Sequence, residues 1–171
     1  RRITPAHTTN TITFPSATNT ANLLNVYSSW RPSAKTISAV SDNAANVWTG
    51  STQSVTQGVK SQVFFRQGAS AGATVVSVTF NQAVSSGTCF ISEHSGVVAI
   101  GALDVIGVGS GNSTAPLTAS VTINQAEELL FCGVGVDGNA TITSGGGYIV
   151  RNTQELSVAI GVEDQFSTVA Q

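Results

Sequence analysis

Apolar side chains recur at every second position through most of this chain, and that period suits strands rather than helices. Leu117, Ala119, Val121 and Ile123 alternate with Thr118, Ser120 and Thr122. Leu156, Val158, Ile160 and Val162 alternate with Ser157, Ala159 and Gly161, and Val76, Val78 and Phe80 alternate with Val75, Ser77 and Thr79. Each run gathers its apolar set on one face, the signature of a half-buried strand in an antiparallel sheet. Further strands are expected at 11–14, 22–30, 35–40, 60–66, 88–94, 102–107, 129–136 and 147–150. Between them stand turn-forming clusters such as Ser41-Asp42-Asn43, Gly109-Ser110-Gly111-Asn112, Asp137-Gly138-Asn139 and Gly145-Gly146-Gly147. The nearest approach to a helical stripe, Asn124 to Leu130, is too short to stand alone. The expected fold is all-β: an antiparallel two-sheet sandwich of about ten short strands.

The chain has 171 residues, enough for one domain with a sizeable core. Residues 11–171 are expected to form that domain. Residues 1–10, polar and interrupted by Pro5, read either as a loose linker or as an arm reaching a neighbouring subunit. Charged residues make up only 9%, against about 25% in typical domains. With a net charge of −2 there is no basic surplus for nucleic acid or anionic lipid. No apolar run approaches the roughly 18 residues of a membrane span. Ser, Thr, Asn, Gln and Gly must therefore cover the surface, as in many secreted modules and viral shell proteins. Met is absent and no apolar signal segment follows Arg1-Arg2, so a processed or excised piece is expected.

Individual motifs offer little chemistry. Gly133-Val134-Gly135-Val136-Asp137-Gly138 spells a dinucleotide fingerprint, but the residues after it cannot start the helix that would hold a pyrophosphate. A glycine-rich strand entering a turn is expected instead, and no cofactor. Cys89 and Cys132 lie in apolar strands, either as a disulfide adding roughly 3–4 kcal/mol or as buried free thiols. His94 follows Glu93, but neighbours on a strand face opposite ways, and His7 stands alone, so no metal set is expected. Ser28 and Ser29 lack a nucleophile elbow. Asp42, Asp104, Asp137 and Asp164 are expected to flank and cap turns. Asn112 and Asn139 open glycosylation-type triplets in expected loops. Trp30 and Trp48, with Tyr27 and Tyr148, could stack sugars if exposed or fill a core if not. Trp30, beside Arg31-Pro32, is the better candidate for exposure, while Trp48 could plug the end of the sandwich.

Several segments, in order, resemble a β-sandwich module of bacterial extracellular multidomain proteins and phage virion proteins. Ala21-Asn22-Leu23-Leu24 through Trp30 matches a "GN-LLVV…W" stretch, and Ser41-Asp42-Asn43-Ala44-Ala45-Asn46-Val47-Trp48 matches "SD-x-x-GN-x-[WY]". Thr74 to Phe80, Glu93-His94-Ser95-Gly96-Val97, Leu103-Asp104, Ala126 to Leu130 and Val162-Glu163-Asp164-Gln165 follow. The resemblance implies a jelly-roll-like sandwich with no catalytic residues to carry over. Ala45 departs from it, standing where the pattern has Gly, and the family's usual further strand after the "ED" segment is not matched. The expectation is a non-enzymatic structural or adhesive sandwich of an extracellular, cell or virion surface, partnered by its own copies or neighbouring subunits. The alternative is a carbohydrate-binding module using Trp30 and Trp48.

Overall fold

The structure, a computed structural model, describes residues 2–3, 6–56, 58–115, 120–154 and 158–167. Among these residues twelve strands are formed: β1 (Arg2–Ile3), β2 (His7–Thr13), β3 (Leu23–Arg31), β4 (Ile37–Asp42), β5 (Thr49–Gly50), β6 (Ser54–Thr56), β7 (Val59–Arg66), β8 (Val75–Val84), β9 (Ser86–His94), β10 (Glu128–Asp137), β11 (Ile149–Gln154) and β12 (Val158–Ser167). All ladders between them are antiparallel. The expected all-β, sandwich-like architecture is what forms.

The strands make three sheets rather than two. A central sheet runs β1-β9-β3-β7-β5, with β6 also on β7; a second runs β2-β8-β4; a third runs β10-β12-β11. β3 explains how they stack, for its residues from Leu24 to Trp30 are buried on both faces. Val26 and Trp30 pack with Cys89 against Val76, Val78, Phe80 and Val84 of β8. Tyr27, on the opposite face, packs against Ile160 and Val162 of β12. β8 has the half-buried character its alternation requires, with Val76, Val78 and Phe80 inside and Val75, Ser77 and Thr79 partly exposed.

β10 approaches the central sheet where its glycines fall. A Cβ on Gly133 would lie 2.3 Å from the Tyr27 ring, and one on Gly135 would lie 2.2 Å from Ser29 Oγ and 2.4 Å from Ser61 Oγ. The fingerprint-like glycines thus form a strand, as expected, and their lack of side chains lets two sheets touch. Short polar groups complete that interface. Ser61 donates to Ser29 Oγ at 3.0 Å, and Thr88 donates to the Val158 carbonyl at 3.1 Å.

Three expectations change. Among the described residues of the 1–10 segment, Arg2 and Ile3 pair with Thr88 and Gly87 and β2 begins at His7, so the expected boundary falls within a strand. The 102–107 strand does not form. That stretch ends on Gly107 and is flanked by Gly101, Gly109 and Gly111, which oppose ordering, and no ladder takes it up. Of the expected 117–123 strand, residues 120–123 are irregular and 117–119 lie outside the described residues, as do Leu156 and Ser157.

The resembled segments prove to be anchors. Asp42 Oδ1 accepts from the Ala44 and Asn46 amides at 2.8 and 3.1 Å, and its Oδ2 accepts from Trp48 Nε1 at 3.0 Å. Asn43 and Asn46 accept from the amides of Thr74, Val75 and Ser70, so this loop is pinned to the one entering β8. Trp48 closes the end of the sandwich over Leu24, Ala69 and Ala73. Ala45 holds φ +56 and Ala21 φ +67, both at positions written as Gly in the resembled pattern. An L-residue in the left-handed region is strained by roughly 1–2 kcal/mol, partly offset by the extra unfolded-chain freedom of Gly. Ala45→Gly is therefore expected to stabilise the fold by about 0.5–1 kcal/mol in urea unfolding.

Candidate functional site

The scarce charges are spent on connections between segments. Glu93 Oε1 accepts from the Asn19 amide and Asn22 Nδ2, both at 2.7 Å. Asp104, in its loop, accepts from the amide and side chain of Asn124, which hold its carboxyl below the usual range. Asp137 meets Arg31, and Glu163 Oε2 accepts from the Gly145 amide at 2.9 Å. Asp104 and Asp137 join separate segments, and Asp42 caps its turn as expected. Asp164 does not: it lies inside β12, with a side chain only 1% exposed.

Asp164 is the centre of a charged cluster set where the third sheet meets the central one. Along β12, Ile160, Val162 and Asp164 share the face turned to the central sheet. Arg151, at the irregularity where β11 loses register with β12, donates Nε to both Asp164 oxygens at 2.9 Å, and its Nη2 lies 2.8 Å from Oδ1. This fork raises the Arg151 pKa. On the facing side, β9 presents Phe90, Ser92 and His94 on one face. His94 Nδ1 sits 3.8 Å from Asp164 Oδ2, its Nε2 lies 2.9 Å from Ser92 Oγ, and its ring meets Phe131 edge-on at 6.0 Å. Glu93 points the other way, as strand alternation requires. Phe90, Ser92, Glu93, His94, Arg151 and Asp164 enclose a cleft of about 320 Å³.

Ser92, His94 and Asp164 stand in the order of nucleophile, base and orienting acid. Both Asp164 oxygens, however, are engaged by Arg151, and 3.8 Å exceeds a hydrogen bond from the imidazole. The geometry is that of a polar clamp between the central and third sheets. Burial pulls the His94 pKa below its ordinary 6.5, against the opposing pull of Asp164. The unfolded chain then takes up this proton first, so stability falls as pH drops from about 6.5 through the folded pKa. His94→Gln is expected to flatten that part of a stability-versus-pH curve measured by urea unfolding.

The residues singled out in the sequence lie elsewhere. Trp30 is fully buried, correcting its expected exposure: its Nε1 donates to the Lys35 carbonyl at 2.9 Å and its ring meets Phe80 edge-on at 5.5 Å. Trp48 is half-buried and occupied by Asp42, so the two indoles form no sugar platform. Tyr27 is core and Tyr148 half-buried. Asn112 and Asn139 are exposed in loops, as expected. His7 is exposed on β2.

Cys89 and Cys132 are not joined by a disulfide, so that alternative gives way to the other. They belong to different sheets, and Cys89 is turned to the β8 side, 3.1 Å from Ser28 Oγ. Burial pushes both thiols up. A thiol reagent without reductant is expected to label neither quickly in the folded protein and both after unfolding; a mass showing no labelled thiol after unfolding would contradict this.

Among the described residues, no three His, Cys, Asp or Glu side chains converge as a metal would need. Among the same residues, no helix is long and apolar enough to cross a membrane. Comparison with protein-family models, curated proteins and solved structures finds no match.

Proposed function

We propose that this chain is a non-catalytic β-sandwich module, jelly-roll-like as the resembled segments imply, serving an extracellular, cell or virion surface through assembly with its own copies or neighbouring subunits. The observation that carries this reading is the stretch between β9 and β10. Val98, Ile100, Leu103, Val105, Ile106 and Val108 are all exposed there, Ile100 at 88%, on backbone outside any ladder. Six large apolar side chains exposed within eleven residues are more than scattered surface hydrophobics, and exposed apolar surface of this kind marks interaction sites. The surrounding surface favours close packing because it carries few charges that would have to shed water. The engagement of Asp164 by Arg151 supports the non-catalytic part.

Sedimentation velocity over a wide concentration range tests the proposal. Wild-type protein is expected to self-associate, and Ile100→Lys, at an exposed position, to shift it toward monomer without loss of β dichroism. A wild type that stays monomeric at the highest concentrations, alone and with its native neighbours, would overturn it.

A further inference from the structure

We propose that the cleft between β9 and the β11-β12 pair is a binding site for a neutral, polyhydroxylated ring, one sugar unit of a glycan. Its volume of about 320 Å³ is at the lower end of small-molecule sites, roughly 300–1,000 Å³, which suits a single ring. Its charges cancel: Arg151 and Asp164 neutralise each other through a forked pair, and Glu93, although it borders the cleft, gives Oε1 to Asn19 and Asn22. An anion would meet Asp164 and a cation would meet Arg151, so neither gains what a neutral ligand keeps. The polar groups are of mixed kind. Ser92 both donates and accepts, the His94 ring nitrogens can do either, Arg151 donates and Asp164 accepts. Sugar hydroxyls, each donor and acceptor at once, match such a set.

One more observation points the same way. Phe90 lines the cleft, and an aromatic ring offers the apolar C–H face of a sugar a surface to cover. The site is distinct from the tryptophans that the sequence suggested for glycan contact, and it is independent of the assembly surface between β9 and β10.

Amide chemical-shift titration of the ¹⁵N-labelled full chain with glucose, galactose, mannose, xylose and N-acetylglucosamine, with glycerol as control, is the test. At least one sugar is expected to give saturable shifts centred on Ser92, His94 and Arg151, with a roughly millimolar Kd. Ser92→Ala and Arg151→Lys, which keep the Asp164 charge paired or untouched, are each expected to weaken it about tenfold while the remaining spectrum is preserved. No saturable shift with any sugar, shifts centred elsewhere, equal binding of glycerol, or unchanged affinity in both folded variants would overturn the proposal. Sedimentation of the same samples reports separately on assembly, so either idea can fail alone.

Discussion

Asp164→Ala is expected to cost about 3–5 kcal/mol of unfolding free energy, the penalty of breaking a buried ion pair by removing one partner. The substitution leaves Arg151 without the two oxygens that its fork engages and takes from His94 its nearest carboxylate. Arg151 is partly exposed and can turn to water, which places the loss toward the lower end. Much of it should come from Asp164's position, since the carboxylate sits where the third sheet meets the central one. Chemical denaturation of variant and wild type measures it. A loss below about 1 kcal/mol, the level of an exposed salt bridge, would show that this pair is not buried in the folded chain.

Gly135→Ala is expected to be similarly damaging, at about 3 kcal/mol, for a steric reason. The new methyl would fall 2.2 Å from Ser29 Oγ and 2.8 Å from Ser29 Cβ, with Ser61 Oγ at 2.4 Å on its other side. Ser29 belongs to the middle strand of the central sheet and is wholly buried, so it cannot yield without moving β3. The relief available is to lift β10 away, which would open the contact of Tyr27 with Ile160 and Val162. Gly138→Ala serves as the comparison. No atom lies within 4 Å of its added Cβ, and its cost should come from its φ of +100° alone. If Gly135→Ala proves no more destabilising than a surface substitution, the close approach of the two sheets is wrong.

Alternation made the strands legible: β3, β7, β8, β9, β10 and β12 all appear where period-2 runs placed them. It could not reveal the number of layers. Leu24 to Trp30 reads Leu-Asn-Val-Tyr-Ser-Ser-Trp, with Asn25 and Ser29 on the face that a two-layer sandwich would give to water. That face is instead covered by β10, whose glycines make room for Tyr27 and the serines. Exposure of Trp30 was misjudged because its neighbours Arg31 and Pro32 suggested a loop edge, whereas β3 continues to Arg31 and the indole lies inside.

Half of the cleft was equally readable. Ser92 and His94 stand two apart on one strand and must share a face. The other half depends on pairing that sequence does not display. Arg151 reaches Asp164 through a register irregularity between Val150 and Asn152, and Asp164 reaches His94 only once the third sheet lies on the central one. The acidic residues looked like turn caps, and Asp42 is one, whereas Asp164, read by analogy with it, is a strand residue.

The stacking of three sheets about β3 is tested most directly by nuclear Overhauser contacts from the Tyr27 ring. The account expects strong contacts to the Gly133 α-protons and to the methyls of Ile160 and Val162, while the Trp30 indole, on the opposite face, contacts Phe80 and the β8 valines. A Tyr27 ring that shows no contact to Gly133 or β12, or one that reaches the same β8 residues as Trp30, would contradict it.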